Sequence, residues 1–422
     1  MNENLILKTL RIRPFLFLVL SEFFAMFANN LLNFALLIVV FGISRSNTAV
    51  AGVVMAFTIP SILFGVWAGV MVDRWNKKSV LLLTNVLRGL FIIPLIFFNT
   101  NLWLVYLFTF CVSVVTQFFI PAETPIIPLL VRKDLLLSAN ALFGMGIYVS
   151  IFLAYALSGP FIYLFGRSNI FLVLAIVYLI AGLFIVLIKA DKSRIEPKAI
   201  NGAALDFKQE AKIVFQLISK TKNLYHALFS LTLIQVIVLA FAAIGPGYAT
   251  QVLKIRVESF PILFVTPAIL GIFLGAIIIG SFFPKTSRSL LTKVGLYILG
   301  IAVLLLPYGS KVESRSIAHL LNLYLPHMLR INILHIMVLL AFIIGFAVAF
   351  VFIPANTILQ EEAGDESRGK IYGILNTFVG VTSIIPVILV GGLADIFGVG
   401  TIVSVIGLVV LAIAMIRTFL KD

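Results

Sequence analysis

Hydrophobic runs of membrane length recur along the whole chain, separated by short polar breaks. They fall at about residues 13–44, 47–72, 79–99, 102–131, 135–165, 168–189, 224–253, 259–283, 293–309, 331–359, 370–397 and 400–418. A helix needs about 20 apolar residues to cross roughly 30 Å of hydrocarbon. None of the runs shows the two-residue alternation of a membrane barrel. The pattern therefore predicts an all-α integral membrane protein with twelve transmembrane helices and almost no room for a soluble domain. The first run, from Pro14, is too long for a signal-peptide core and carries Glu22 and three asparagines. It reads as a retained span.

The longest polar stretch, about Ala190 to Asn223, sets six runs on either side of it. The expected organisation is an N-terminal six-helix bundle at 1–189, a cytoplasmic linker at 190–223 and a C-terminal six-helix bundle at 224–422. In the linker, Phe207, Val214, Leu217 and Ile218 recur at helical spacing among Lys208, Glu210, Lys212 and Lys220. That pattern predicts an amphipathic helix, lying on the inner membrane surface or serving only as a connector. The two halves also repeat each other. Phe119-Ile-Pro-Ala122 recurs as Phe352-Ile-Pro-Ala355, and Gly159-Pro-Phe-Ile-Tyr-Leu-Phe-Gly166 as Gly391-Gly-Leu-Ala-Asp-Ile-Phe-Gly398, at nearly one offset.

Composition agrees with a membrane protein: 61% of the 422 residues are hydrophobic and only 11% are charged. The formal net charge of +14 raises the question of nucleic acid. The distribution of the 31 lysines and arginines answers it. They crowd the N-terminus, the even-numbered loops, the central linker and the C-terminus, while the opposite side holds few. By the positive-inside rule both termini are cytoplasmic and the protein is a multi-pass protein of the inner (plasma) membrane. Nucleic acid is not an expected partner; membrane lipids are. Cys111 is the single cysteine and falls inside a span, which excludes disulfides and cysteine-based metal sites. No phosphate loop, zinc-protease or serine-nucleophile motif is present. His319, His327 and His335 are interrupted by Pro326, so no metal site is expected. No cofactor, enzymatic activity or stable oligomer is implied.

One turn carries the most specific chemistry. Gly69-Val-Met-Val-Asp73-Arg74-Trp75-Asn76-Lys77-Lys78 joins the second and third runs. An acid followed by three cations cannot lie in hydrocarbon, and the glycine is expected to let the helix end pack closely on a neighbour. The segment resembles the gating signature of the major facilitator superfamily. That resemblance implies two pseudo-symmetric six-helix bundles with a substrate site between them. It also implies a latch in which Asp73 meets the start of the eleventh span, near Lys370. The acidic loop Glu361, Glu362, Asp365 and Glu366 is expected to pair with Arg74, Lys77 or Lys78 when the inner side is closed. The equivalent place after the eighth run, Gly280-Ser-Phe-Phe-Pro-Lys285-Thr-Ser-Arg288, keeps cations and lacks the acid, so the latch is one-sided. Pro121-Ala122, Pro128, Ala139-Asn140-Ala141-Leu142 and Leu359-Gln360-Glu361 with Arg368-Gly369-Lys370 resemble the branch of macrolide-efflux, siderophore-export and lysophospholipid transporters. Gly159-Pro160 resembles an antiporter motif.

Polar residues inside spans are the remaining candidates. Arg88 and Glu123 lie about 14 Å deep at ~1.5 Å per residue and are expected to be partners, as a bracing ion pair or as a proton-coupling device. Glu22 shares a helix face with Asn29 and Asn33, with Asn30 close by, and this stripe is expected to line the central cavity. Glu22 is thus a third proton-coupling candidate, or it merely hydrogen-bonds a neighbouring span. Gln117, Gln235, Asn356, Asn376 and Ser383 complete the cavity candidates, although single polar residues in spans also serve as helix glue. The expected function is secondary active transport by alternating access, with proton-coupled efflux of an amphipathic small molecule. The alternatives are a lysophospholipid or lipid-like carrier without proton coupling, and a non-transporting receptor or scaffold.

Overall fold

The structure is a computed structural model that describes residues 5–188, 222–283, 285–308, 333–362 and 364–419. Among the described residues all regular structure is helical. Eleven segments are long and apolar enough to cross a membrane, and the longest, Lys133–Leu187, holds two spans because it breaks at Gly166. The twelve helices are α1 (Arg13–Ser44), α2 (Asn47–Arg74), α3 (Lys77–Ile92), α4 (Leu102–Glu123), α5 (136–165) and α6 (167–187). They continue with α7 (Lys222–Gly247), α8 (Thr266–Phe282), α9 (Arg288–Leu305), α10 (Ile333–Glu362), α11 (Gly364–Phe397) and α12 (Val399–Phe419). The central linker lies outside the described residues.

Most boundaries fall within a few residues of the hydropathy pattern, and the exceptions have local causes. The fourth run leaves the α-helix at Glu123 and goes on as a 3-10 turn, Thr124–Ile126, and a short helix, Ile127–Leu130. Pro121, Pro125 and Pro128 remove three backbone donors there, which an unbroken helix does not tolerate. The second repeated motif also gains a physical reason. Gly166 and Gly398 both take a left-handed conformation, with φ of 78° and 85°, and end α5 and α11 in the same way.

Two compact units emerge. The first gathers residues up to Ile43 and from Gly52 through α6; the second gathers Ser44–Ala51 and α7 through α12. In the first, α3 packs on both α4 and α6. Its core joins Phe15, Leu18 and Ala25 of α1 to Phe119 and Ala122 of α4, Phe143 of α5 and Ala181 and Ile185 of α6. In the second, α10 packs on α7, α8 and α9, while α12 packs on α9. Side chains such as Leu137 and Trp103 stand 85% and 81% exposed, as lipid-facing positions do.

Helices in lipid gain little from hydrophobic burial against each other, so close backbone approach decides the packing. A methyl on Gly275 of α8 would stand 2.7 Å from the Ala349 methyl of α10, and one on Gly345 would collide with the Ala268 carbonyl. Gly345→Val is accordingly expected to force α8 and α10 apart, costing about 1–3 kcal/mol. A lowered melting temperature, or loss of the monodisperse peak in detergent size-exclusion chromatography, would report it.

Candidate functional site

The charges that hydropathy finds inside the membrane meet at one place in the first unit. Glu22 of α1, Arg88 of α3 and Glu123 of α4 are all buried, with Arg88 wholly enclosed. The Glu22 and Glu123 carboxyls lie close enough to act on each other directly. Two such groups hydrogen-bond each other only when one of them carries a proton. Arg88 is held differently from the expected ion pair. Its Nη2 donates to Asn85 Oδ1 at 2.7 Å and its Nε to the Thr84 carbonyl at 3.4 Å. The guanidinium carbon lies 4.1 Å from the centre of the Phe119 ring and 4.8 Å from that of Tyr178. None of the ion pairs among the described residues joins Arg88 to Glu22 or Glu123. Its attraction for the two carboxyls acts through space. Neutral acceptors and ring faces hold the cation, so neither carboxyl is tied to it in an ion pair.

Four polar atoms of this cluster, Glu22 Oε1, Glu123 Oε2, Arg88 Nη1 and Asn85 Nδ2, are buried with no protein hydrogen-bond partner. Unpaired buried polar groups cost about 1–3 kcal/mol each. A bundle evolved only for stability would not collect four of them in one spot. Glu22 therefore differs from its expected position: it turns into the interior of the first unit instead of lining a cavity with the asparagines. The reason is its carboxyl partner on α4. Ser21 next to it donates to the Ala181 carbonyl at 2.8 Å and fixes that face of α1 on α6.

The asparagine stripe does reach a cavity. A space of about 170 Å³ within the first unit is lined by Asn29 and Asn33 of α1, Phe57 of α2, and Thr109, Ser113, Thr116 and Gln117 of α4. Amides and hydroxyls face apolar walls there, including Leu32, Leu36 and Val112. The Thr109 hydroxyl is buried without a protein partner. Asn30 instead donates to the Met26 carbonyl of its own helix at 2.8 Å. Cavity and carboxyl pair are connected. The Tyr178 hydroxyl donates to Asn29 Oδ1 at 3.4 Å, and its ring lies against the Arg88 guanidinium. Sequence reasoning missed Tyr178, Asn85, Thr109, Ser113 and Thr116. The α4 residues carry a visible signal, since 109, 113, 116 and 117 form a polar stripe at helical spacing. Tyr178 carries none, because a lone tyrosine in a long apolar helix is unremarkable.

In the second unit, Gln235 and Asn376 are exposed, Asn356 is half-buried, and Ser383 is buried and donates to the Gly380 carbonyl of its own helix at 2.8 Å. The turn at Gly69 to Lys78 shows a local role. Lys77 Nζ donates to the Val72 carbonyl at 2.6 Å, closing the end of α2, and Lys78 Nζ to the Ile188 carbonyl at 2.7 Å, just past α6. Both cations thus sit on helix C-termini, where the backbone is negative. Asn76 caps α3 by accepting from the Ser79 N–H at 3.1 Å. Arg74 is exposed. One expectation changes: a methyl on Gly69 would meet nothing within 4 Å, so this glycine provides no close packing here. Glu361 is held by both guanidinium nitrogens of Arg288, a neighbour on α9. The side chains of Asp73, Glu362, Asp365 and Glu366 lie outside the described residues, as do His319 and His327.

Comparison with known proteins places this architecture. The Bacillus subtilis protein "Uncharacterized MFS-type transporter YvqJ" is 23% identical over 322 residues, which is 75% of this chain and 70% of that protein. The nucleoside transporter NupG superposes with a TM-score of 0.74 at 12% identity, covering 97% of this chain and 99% of its own. An inward-facing bacterial homolog of the human lysosomal transporter Spinster gives 0.69 at 16% identity, with 97% and 96% covered. The profile of the Major Facilitator Superfamily matches residues 18–386. Twelve membrane helices, the family profile over most of the chain and these folds agree: the chain belongs to the Major Facilitator Superfamily of membrane transporters.

Proposed function

We propose that this transporter works by alternating access and exports an amphipathic small molecule across the plasma membrane in exchange for protons. The observation that carries the reading is the carboxyl pair Glu22–Glu123, tied to the polar cavity through Arg88, Tyr178 and Asn29. A shared proton holds the two carboxyls together. When it leaves, the negative charge can be met only by Arg88 moving off its rings and amide, and that movement pulls on Tyr178 and therefore on Asn29. Substrate contacts at Asn29, Asn33 and Gln117 act on the same chain from the other end. The cavity walls offer hydrogen bonds without net charge, which suits a neutral or amphipathic substrate. Both termini are assigned to the cytoplasm on the charge distribution. The antiport assignment and the macrolide, siderophore and lysophospholipid branch rest on sequence resemblance.

A second reading, a lipid-like carrier without proton coupling, draws on one further feature. An open apolar groove of about 600 Å³ runs along Leu83, Leu87, Val115 and Phe118, with Arg74 and Trp75 at one end. Proteoliposomes separate the two readings. A panel of amphipathic dyes and lysolipids is assayed with and without an imposed pH gradient. Transport that follows the gradient supports proton exchange. Transport indifferent to it supports the lipid-like carrier.

A further inference from the structure

A second group of polar side chains gathers at one end of the second unit, where α7 and α9 begin and α10 and α12 finish. His226 and Ser230 of α7, Ser289 and Thr292 of α9 and Arg417 of α12 line a cavity of about 40 Å³ there. That is room for about three water molecules, the scale of a single small oxyanion. The space has a sequence cause. Leu224, Leu228 and Leu231 of α7 pack with Leu359 of α10 in one buried cluster, but at the cavity the same two helices present Ala227 and Ala355, which offer only methyl groups.

Arg417 gives the cavity its character. It stands two residues before the end of α12, where a long cationic side chain ordinarily reaches out to the membrane surface. Here it turns inward and is only 7% exposed. Its Nη1 donates to the Ser230 hydroxyl at 2.6 Å, and Ser230 donates in turn to the His226 carbonyl at 2.6 Å. The guanidinium is thereby drawn across from α12 to α7. On the facing side, Ser289 lies in the first turn of α9, the positive end of that helix. Thr292 donates to the Arg288 carbonyl at 2.9 Å, which leaves its oxygen towards the cavity as part of a hydroxyl wall. Among the described residues no carboxylate lines the space. Glu361, one turn beyond Ile358 of α10, is engaged by Arg288. His226 and Ser289 are half-buried, so the cavity reaches the surface at their edge. A guanidinium, an imidazole, hydroxyls and a positive helix end, with no acid among them, match the chemistry of phosphate oxygens, which a planar guanidinium holds by paired N–H bonds.

We propose that this cavity binds one phosphate group, carried by a soluble phosphate ion or by the headgroup of an anionic lipid. The bound group bridges Arg417 to Ser289 and so fastens α12 to the starts of α7 and α9. The Tyr297 and Thr418 hydroxyls, 3.1 Å apart, already stitch α9 to α12 beside it. The site lies within the second unit alone and is independent of the carboxyl pair in the first.

Melting of the purified full-length protein tests the site, since a ligand that binds the folded state raises its melting temperature. Inorganic phosphate is titrated against chloride at equal ionic strength, and phosphatidic acid is titrated separately against diacylglycerol of the same chains in the same detergent. A saturable rise is expected in the wild type. A rise with phosphatidic acid alone assigns the site to a lipid headgroup; a rise with inorganic phosphate, with or without the lipid, assigns it to a soluble ion. Arg417→Gln is expected to weaken the apparent Kd by about tenfold or more, the loss of a charge-assisted contact. Ser289→Asp suits the first turn of a helix but sets a carboxylate at the rim, so it is expected to remove the rise without lowering the starting melting temperature. If Arg417→Gln does not elute as a monodisperse peak, Ser289→Asp decides. No rise with either anion in the wild type, or the same rise at the same midpoint in Ser289→Asp, would overturn the site.

Discussion

Glu123→Gln is expected to abolish the response of transport to a pH gradient while leaving substrate exchange in place. Glutamine keeps the shape of the side chain and can donate permanently to Glu22, imitating the pair with its shared proton. The pair then has no proton to release at that site, and Arg88 has no new charge to follow. Each coupled proton contributes about 1.4 kcal/mol per pH unit, or about tenfold in accumulation, so uphill export across a two-unit gradient should fall by about two orders of magnitude. Exchange of labelled for unlabelled substrate at equal pH on both sides needs no net proton movement and should persist. Loss of exchange and uphill transport together would mean that Glu123 braces the bundle or contacts substrate.

Arg88→Met is the second large effect, and its sign separates function from stability. Arg88 is fully buried, with no carboxylate in direct contact to offset its desolvation. Two hydrogen bonds to α3 groups and two aromatic faces hold it instead. Replacing a buried charge by an apolar side chain of similar volume is often neutral or stabilising. Methionine should therefore leave the melting temperature within about 4 °C, equivalent to roughly 1 kcal/mol. Uphill transport should nevertheless be lost, because neither the proton pair nor Tyr178 retains a cation to follow. Arg88→Lys is not expected to rescue it, since a compact ammonium cannot match a planar group lying against two rings. Unfolding of the methionine variant with transport intact in the surviving fraction would assign Arg88 a bracing role.

Most of the helical plan was legible in the sequence because hydrocarbon leaves the backbone few choices: a span must be helical, and charge must avoid it. That rule located twelve spans, and it flagged Glu22, Arg88 and Glu123. It could not say how the three would meet. Hydropathy has no term for partner choice, and the pairing of carboxyl with carboxyl depends on Asn85, Phe119 and Tyr178 taking the cation. Gln117 was legible, but Thr109, Ser113 and Thr116 on the same stripe of α4 were not singled out, because hydroxyls in a long apolar run resemble helix glue. Lys77 and Lys78 read as topology markers and members of a family signature; their contacts with helix ends follow from backbone polarity at chain turns.

Proton movement itself is the most direct test of the central claim. Purified protein is reconstituted with a pH-sensitive dye trapped inside the vesicles, and a transported amphipathic substrate is added outside with no imposed gradient. The carboxyl-pair account predicts a substrate-dependent pH change with the wild-type protein and none with Glu123→Gln, at equal rates of substrate exchange. Equal pH changes in both proteins, or net substrate movement with no pH change in the wild type, would contradict it.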